Sequence, residues 1–154
     1  MTISENSTEN RSHLRPTKNE CLNYCKDNGL NQILLKEQAK EPIGAWRRYQ
    51  TEITTDLMFE RLKRSNINYG VVCGSISDNL VVLDIDLKKL FDPFKEIYRE
   101  IIGIELLDDT FVVESSNGKI HAYFRISDNV IIETHNSESI YGFSERGEGS
   151  YVVG

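Results

Sequence analysis

Apolar residues fall into short runs separated by glycine-, asparagine- and serine-rich stretches, and the period within each run predicts its element. Thr17-Lys18-Asn19-Glu20 is a capping box, so a helix is expected from about Lys18 to Asn28, burying Leu22, Cys25 and Tyr24 and stopped by Gly29. Asn31 to Leu35 reads as a strand and Lys40-Glu41-Pro42 as a turn. Thr54 and Thr55 can cap a helix over Asp56 to Arg64, with Leu57, Phe59 and Leu62 as its apolar positions. Asn66 to Tyr69 is expected to be a loop, Gly70 to Gly74 a strand, and Ser75 to Asn79 a turn that pairs this strand antiparallel with Leu80 to Asp86. Asp92-Pro93 is a start signal for a helix to about Ile102, with Phe94, Ile97, Tyr98 and Ile101 inward and Gly103 at its end. Asp108 and Asp109 are expected in a loop. Strands Thr110 to Glu114 and Ile120 to Ile126 flank the Ser115-Ser116-Asn117-Gly118-Lys119 turn. After a polar connection, Ser127 to Ser139, a last strand pair (Ile140 to Arg146 and Ser150 to Gly154) is expected around Gly147-Glu148-Gly149. The sum is an α+β (mixed α/β) domain with a mostly antiparallel sheet and helices on one face.

Alternation within the strands places chemistry on one side. In Leu80-Val81-Val82-Leu83-Asp84-Ile85-Asp86, residues Val81, Leu83 and Ile85 share one face and Val82, Asp84 and Asp86 the other. The two carboxylates are roughly 7 Å apart at Cα by the strand rise. That spacing suits one shared divalent cation or a pair of them, and also suits the polar end of a strand entering a turn. In the strand Ile120 to Ile126, His121, Tyr123 and Arg125 share a face. The Ser/Gly-rich turn before His121 is of a kind whose backbone N–H groups can approach a phosphate. Trp46 beside Arg47 and Arg48 fits either a base-stacking contact with phosphate-directed arginines or a core tryptophan beside a solvated face.

Composition narrows the class. The 154 residues are 27% charged and 39% hydrophobic, enough for one domain with a core. Met1 to Pro16 is polar and is expected to be a disordered tail, leaving 17–154 as the domain. A net charge of −6 argues against a uniformly basic nucleic-acid binder but not against a local basic groove. Cys21, Cys25 and Cys73 lack the second pair of a zinc tetrahedron and are read as reduced thiols. No apolar run approaches membrane-spanning length and the N-terminus has no signal-peptide core, so a cytoplasmic location without membrane partners is expected.

Three stretches together resemble the primase–polymerase domain of the archaeo-eukaryotic primase superfamily, in the form found at the N-terminus of bifunctional plasmid and viral replication proteins. Tyr69-Gly70-Val71-Val72-Cys73-Gly74 through Asp84-Ile85-Asp86 is similar to the glycine-bounded strand and first catalytic motif. Ser115-Ser116-Asn117-Gly118-Lys119-Ile120-His121 is similar to the second motif, and Arg146-Gly147-Glu148-Gly149-Ser150-Tyr151-Val152-Val153-Gly154 to the stretch around the third. Lys40-Glu41-Pro42 followed by Trp46 is similar to the upstream Lys-x-Pro and Trp. The likeness spans about residues 28 to 154.

The resemblance implies a primase-like fold with an RRM-like catalytic half, and metal-dependent nucleotidyl transfer in DNA replication or repair. Asp84 and Asp86 would bind Mg²⁺ or Mn²⁺, with His121 as the third catalytic residue. Ser115, Ser116, Asn117, Gly118, Lys119, His121, Arg125 and Arg146 would bind the nucleotide. Nucleoside triphosphates and a single-stranded DNA template with its primer would be the partners, with a helicase supplied by another domain or protein. Two departures stand out. The family's third acid falls two residues before the Arg of the last motif, where this chain has Ser144; the adjacent Glu145 is the candidate replacement, but strand alternation turns it to the opposite face unless a bulge intervenes. The family pattern also continues beyond Val153-Gly154, so the domain is expected to be shortened at its C-terminus. A non-catalytic relative that binds nucleotide or single-stranded nucleic acid is the alternative these departures leave open.

Overall fold

The computed structural model describes residues 16–115, 118–127, 130–135 and 142–154. Among them are helices α1 (Lys18–Asp27), α2 (Asp56–Leu62), α3 (Phe91–Ile102) and α4 (Leu106–Asp109). The strands are β1 (Gln32–Lys36), β2 (Ile67–Val72), β3 (Leu80–Ile85), β4 (Phe111–Glu114), β5 (Ile120–Arg125), β6 (Phe143–Arg146) and β7 (Tyr151–Val153). They form two antiparallel sheets, ordered β1-β2-β7 and β4-β5-β3-β6. The α+β class and the antiparallel strands follow the pattern of the sequence.

The strand partners differ from expectation. β2 and β3 are consecutive but lie in different sheets, with an isolated bridge between Gly74 and Leu80 in the segment that connects them. Between them the backbone takes positive φ at Gly74 (92°), Asp78 (59°) and Asn79 (54°), around a 3-10 turn at Ser75–Ser77. Asp and Asn tolerate that region better than other side-chain-bearing residues, so the connection redirects the chain instead of closing a hairpin. β6 and β7 likewise separate: β6 pairs with β3, and β7 with β2. β2 also begins earlier than expected, since Asn68 and Tyr69 pair with Leu35 and Leu34. The expected strand residues Ile140 and Tyr141 lie outside the described residues.

The core sits where α1, α2 and the two sheets meet. Leu22 and Cys25 of α1, Phe59 and Leu62 of α2, Leu34, Tyr69, Val71 and Val152 of the first sheet, and Val82 and Tyr123 of the second form one buried cluster. The opposite face of the first sheet is also covered. Ile33, Leu35 and Val72 pack there with Tyr49, Trp46, Tyr151 and Val153. The capping box of α1 forms as expected: Thr17 Oγ1 accepts from the Glu20 N–H at 3.3 Å, and Glu20 accepts from the Thr17 N–H at 2.6 Å. The start and packing of α3 are corrected. A 3-10 turn at Lys88–Leu90 runs directly into Phe91, so Asp92 lies inside the first turn and not at the cap. No residue of α3 is buried: Tyr98 stands 6.0 Å from the Phe124 ring, but Ile97 and Ile101 are 54% and 74% exposed.

Candidate functional site

The register of the four-stranded sheet builds the site. Val113, His121, Asp84 and Ser144 stand opposite one another across β4, β5, β3 and β6. Residues directly opposed in a sheet point to the same face. Two residues along the same face, Phe111, Tyr123, Val82 and Arg146 form the next row. Val82 and Tyr123 enter the core, whereas Asp84, His121 and Arg146 line an open cleft of about 760 Å³. One sheet face therefore changes from core to cleft floor within a single alternation step. The first sheet and its loops supply the rest of the cleft lining, chiefly Lys40, Trp46, Asn68 and Tyr151.

Asp84 is buried, with His121, Arg146 and Lys119 as its neighbours. Its Oδ1 is 3.3 Å from His121 Nε2 and its Oδ2 accepts from Arg146 Nη2 at 3.5 Å. The imidazole approach is an ion-pair distance with poor hydrogen-bond direction, so Oδ1 has no hydrogen-bond partner among the described residues. Burial pushes the Asp84 carboxyl up. His121, then Arg146 and Lys119, outweigh that and hold it below the usual carboxylate range. Asp86 follows the end of β3, its backbone N–H donating to Gly142 O at 2.9 Å. Lys119 Nζ is ion-paired with Asp86 Oδ1, while Oδ2 is buried without a partner among the described residues. Asp86 does not itself line the cleft; Lys119, which does, ties it there.

The remaining candidates are distributed as follows. Ser115 lines the cleft, and its Oγ accepts from the Lys119 N–H at 3.1 Å. The Ser115 N–H is bonded to Lys119 O at 2.8 Å and the Gly118 N–H to Ser115 O at 2.9 Å, so these backbone donors serve the turn itself. Ser116 and Asn117 lie outside the described residues. Arg125 stands opposite Leu80, four residues from the Asp84–His121 pair and roughly 13 Å away by strand rise. Its guanidinium is held by Asp78 Oδ2 at 3.3 Å and by the Asn28 carbonyl, and the structure does not bring it to the cleft. Glu145 stands opposite Leu83 in an unbroken β3–β6 register, with no bulge to turn it inward. It faces away from Asp84, its Oε2 3.5 Å from His135 Nδ1. Ser144, fully buried, occupies the place directly opposite Asp84.

Two carboxylates that each have a buried oxygen without a hydrogen bond among the described residues are a donor set for a hard cation. A Mg²⁺-type ion needs only one or two carboxylates when water and substrate phosphates complete its shell. Among the described residues no group of three or more His, Cys, Asp or Glu side chains is placed to hold a metal ion. Asp84 and Asp86 would hold such an ion only with water and substrate phosphates completing its shell. Asn68 and Thr134, which the sequence pattern does not mark, also line the cleft. Their place there depends on which distant segments pair, which no local pattern encodes.

The described residues thus form an antiparallel α+β fold with Asp84, His121 and Arg146 on one sheet face beside a cleft. The chain belongs to the Prim-Pol family, the N-terminal domain of bifunctional DNA primase/polymerases, whose family model matches residues 21–154. That family carries a primase/polymerase type of function in replication, with nucleotides and DNA as its general substrates. No curated protein matches the chain.

Proposed function

We propose that this chain is a metal-dependent nucleotidyl transferase that makes or extends primers on single-stranded DNA from nucleoside triphosphates. The observation that carries the reading is the convergence of Asp84, His121, Lys119 and Arg146 at one cleft, with Asp84 Oδ1 and Asp86 Oδ2 buried without a hydrogen bond among the described residues. The reaction forms a bond between a 3′-hydroxyl oxygen and the α-phosphorus and breaks the bond to pyrophosphate, the hydroxyl proton passing to solvent. Asp84 and Asp86 would hold Mg²⁺ or Mn²⁺, which when bound supplies Lewis-acid stabilisation of the attacking and leaving oxygens. Lys119 and Arg146 neutralise phosphate oxygens, and His121, oriented against Asp84, adds a hydrogen bond. Trp46 and Tyr151, edge to face at 4.8 Å, offer an aromatic wall to the base or template.

Ser144 favours a second reading. A buried hydroxyl where a third acid is expected weakens metal binding, and a domain that binds nucleotide or single strands without transfer would tolerate it. Template-directed incorporation of labelled nucleotides with Mn²⁺ or Mg²⁺ separates the two. Wild type should incorporate and the Asp84→Ala/Asp86→Ala variant should fall to background. Equal incorporation by both proteins ends the assignment of this site; nucleotide binding without incorporation supports the second reading.

A further inference from the structure

We infer that Lys119 is a built-in counter-cation of the Asp84–Asp86 site, displaced by the divalent ion and transferred to the incoming triphosphate, so that one side chain couples metal and nucleotide binding. The inference rests on the proposed nucleotidyl-transfer reading of the cleft. Lys119 lies two residues before His121, so β-type alternation aims both toward the same side. Its ammonium sits on Asp86 Oδ1, with the lysine side chain 29% exposed and the aspartate 14%. One ammonium satisfies one oxygen; among the described residues Asp86 Oδ2 and Asp84 Oδ1 stay buried without a hydrogen bond, which is costly for a carboxylate.

Lysine suits this exchange and arginine does not. Its charge is compact, and its four-carbon stem lets it swing while the turn stays closed by the Lys119 and Gly118 backbone bonds. A divalent cation on the same carboxylates would repel Nζ at ion-pair range, since like charges in a partly buried site interact strongly. Nζ must then leave Asp86. Metal alone costs that ammonium its Asp86 ion pair. Metal together with a triphosphate gives it a new anion. The metal therefore favours the nucleotide and the nucleotide favours the metal by the same factor.

The test uses the intact chain as wild type, Lys119→Met and Lys119→Arg. Free-Mn²⁺ titration by electron paramagnetic resonance measures metal affinity without nucleotide. Equilibrium dialysis of a labelled non-hydrolysable triphosphate analogue, with and without Mn²⁺, measures the coupling. Lys119→Met should bind Mn²⁺ alone about tenfold more tightly, the size of one charge interaction in such a site. Its coupling between Mn²⁺ and analogue should shrink by a similar factor, while Lys119→Arg keeps the weak metal binding of wild type. Lys119→Met with unchanged or weaker Mn²⁺ affinity, or with undiminished coupling, overturns the role of Lys119 and leaves the site reading standing. Wild type that binds neither Mn²⁺ nor analogue overturns both.

Discussion

Asp84 shows what a single residue has to balance in this cleft. Burial disfavours its charge, and His121, Arg146 and Lys119 more than offset that, leaving the folded carboxyl below its ordinary range. A depressed folded value means that ionised Asp84 contributes stability above the unfolded pKa of about 3.9. That contribution is lost as pH falls through the lower folded value. Melting temperature measured from pH 6 to pH 2.5 in the absence of divalent metal should therefore drop less steeply below about pH 4 in Asp84→Asn than in wild type. Superimposable acid limbs would mean that the surrounding cations do not hold the charge. At this scale the sequence was informative: a period-two pattern was enough to set Asp84 and His121 on one side, and to turn Glu145 away from Asp84. Arg125 shares the His121 alternation, yet it ends beside Asp78 and Asn28. Alternation assigns a face; it does not say how far along the strand the cleft extends.

Elements obey local signals at their ends and non-local ones in their pairing. The α1 cap is written in four adjacent residues, and it forms. The stripe Phe94, Ile97, Tyr98 and Ile101 correctly marks α3 as a helix, but an amphipathic period cannot say how much of the stripe meets a partner, and Ile97 and Ile101 remain exposed. The glycine turn after β6 was legible as a turn, while the separation of β6 from β7 was not, because it depends on which distant strand each one pairs with. Gly147 shows the constraint at work. A Cβ there would stand 1.9 Å from the carbonyl oxygen of Ile132, a backbone atom that cannot rotate aside. The Gly147 N–H donates to Thr134 Oγ1 at 3.2 Å, and the Glu148 N–H to Ile132 O at 2.8 Å. Gly147→Ala must push the 130–135 segment off the end of β6 and loosen both bonds. The expected cost is about 1–3 kcal/mol, typical of overpacking, read as a fall of several degrees in melting temperature. A change within one degree would show that the segment yields freely.

At the scale of the whole molecule, the site exists because two sheets share one core. Val82 and Tyr123 of the four-stranded sheet and Val71 and Val152 of the three-stranded sheet lie in the same buried cluster. Past that cluster, Asp84 and the cations beside it and the aromatic residues of the other sheet line a common space. Neither sheet carries the full complement. The arrangement also supplies its own reporter. Trp46 is the single tryptophan of the sequence, it lines the cleft, and its ring meets Tyr151 edge-on at 4.8 Å. The Tyr151 hydroxyl is anchored by donating to Lys40 O at 2.6 Å, which fixes the ring that Trp46 leans on. A triphosphate held at Asp84, Lys119 and Arg146 must project its sugar and base somewhere along this lining. Titration with a non-hydrolysable analogue and Mn²⁺ should therefore shift or quench Trp46 emission in a saturable way, with the midpoint matching the calorimetric Kd. Asp84→Ala should move that midpoint to higher concentration, and Trp46→Phe should erase the signal while keeping the calorimetric heat. Calorimetric binding with unperturbed Trp46 emission would place the nucleotide away from the shared cleft, and the two sheets would then have to be read as separate surfaces.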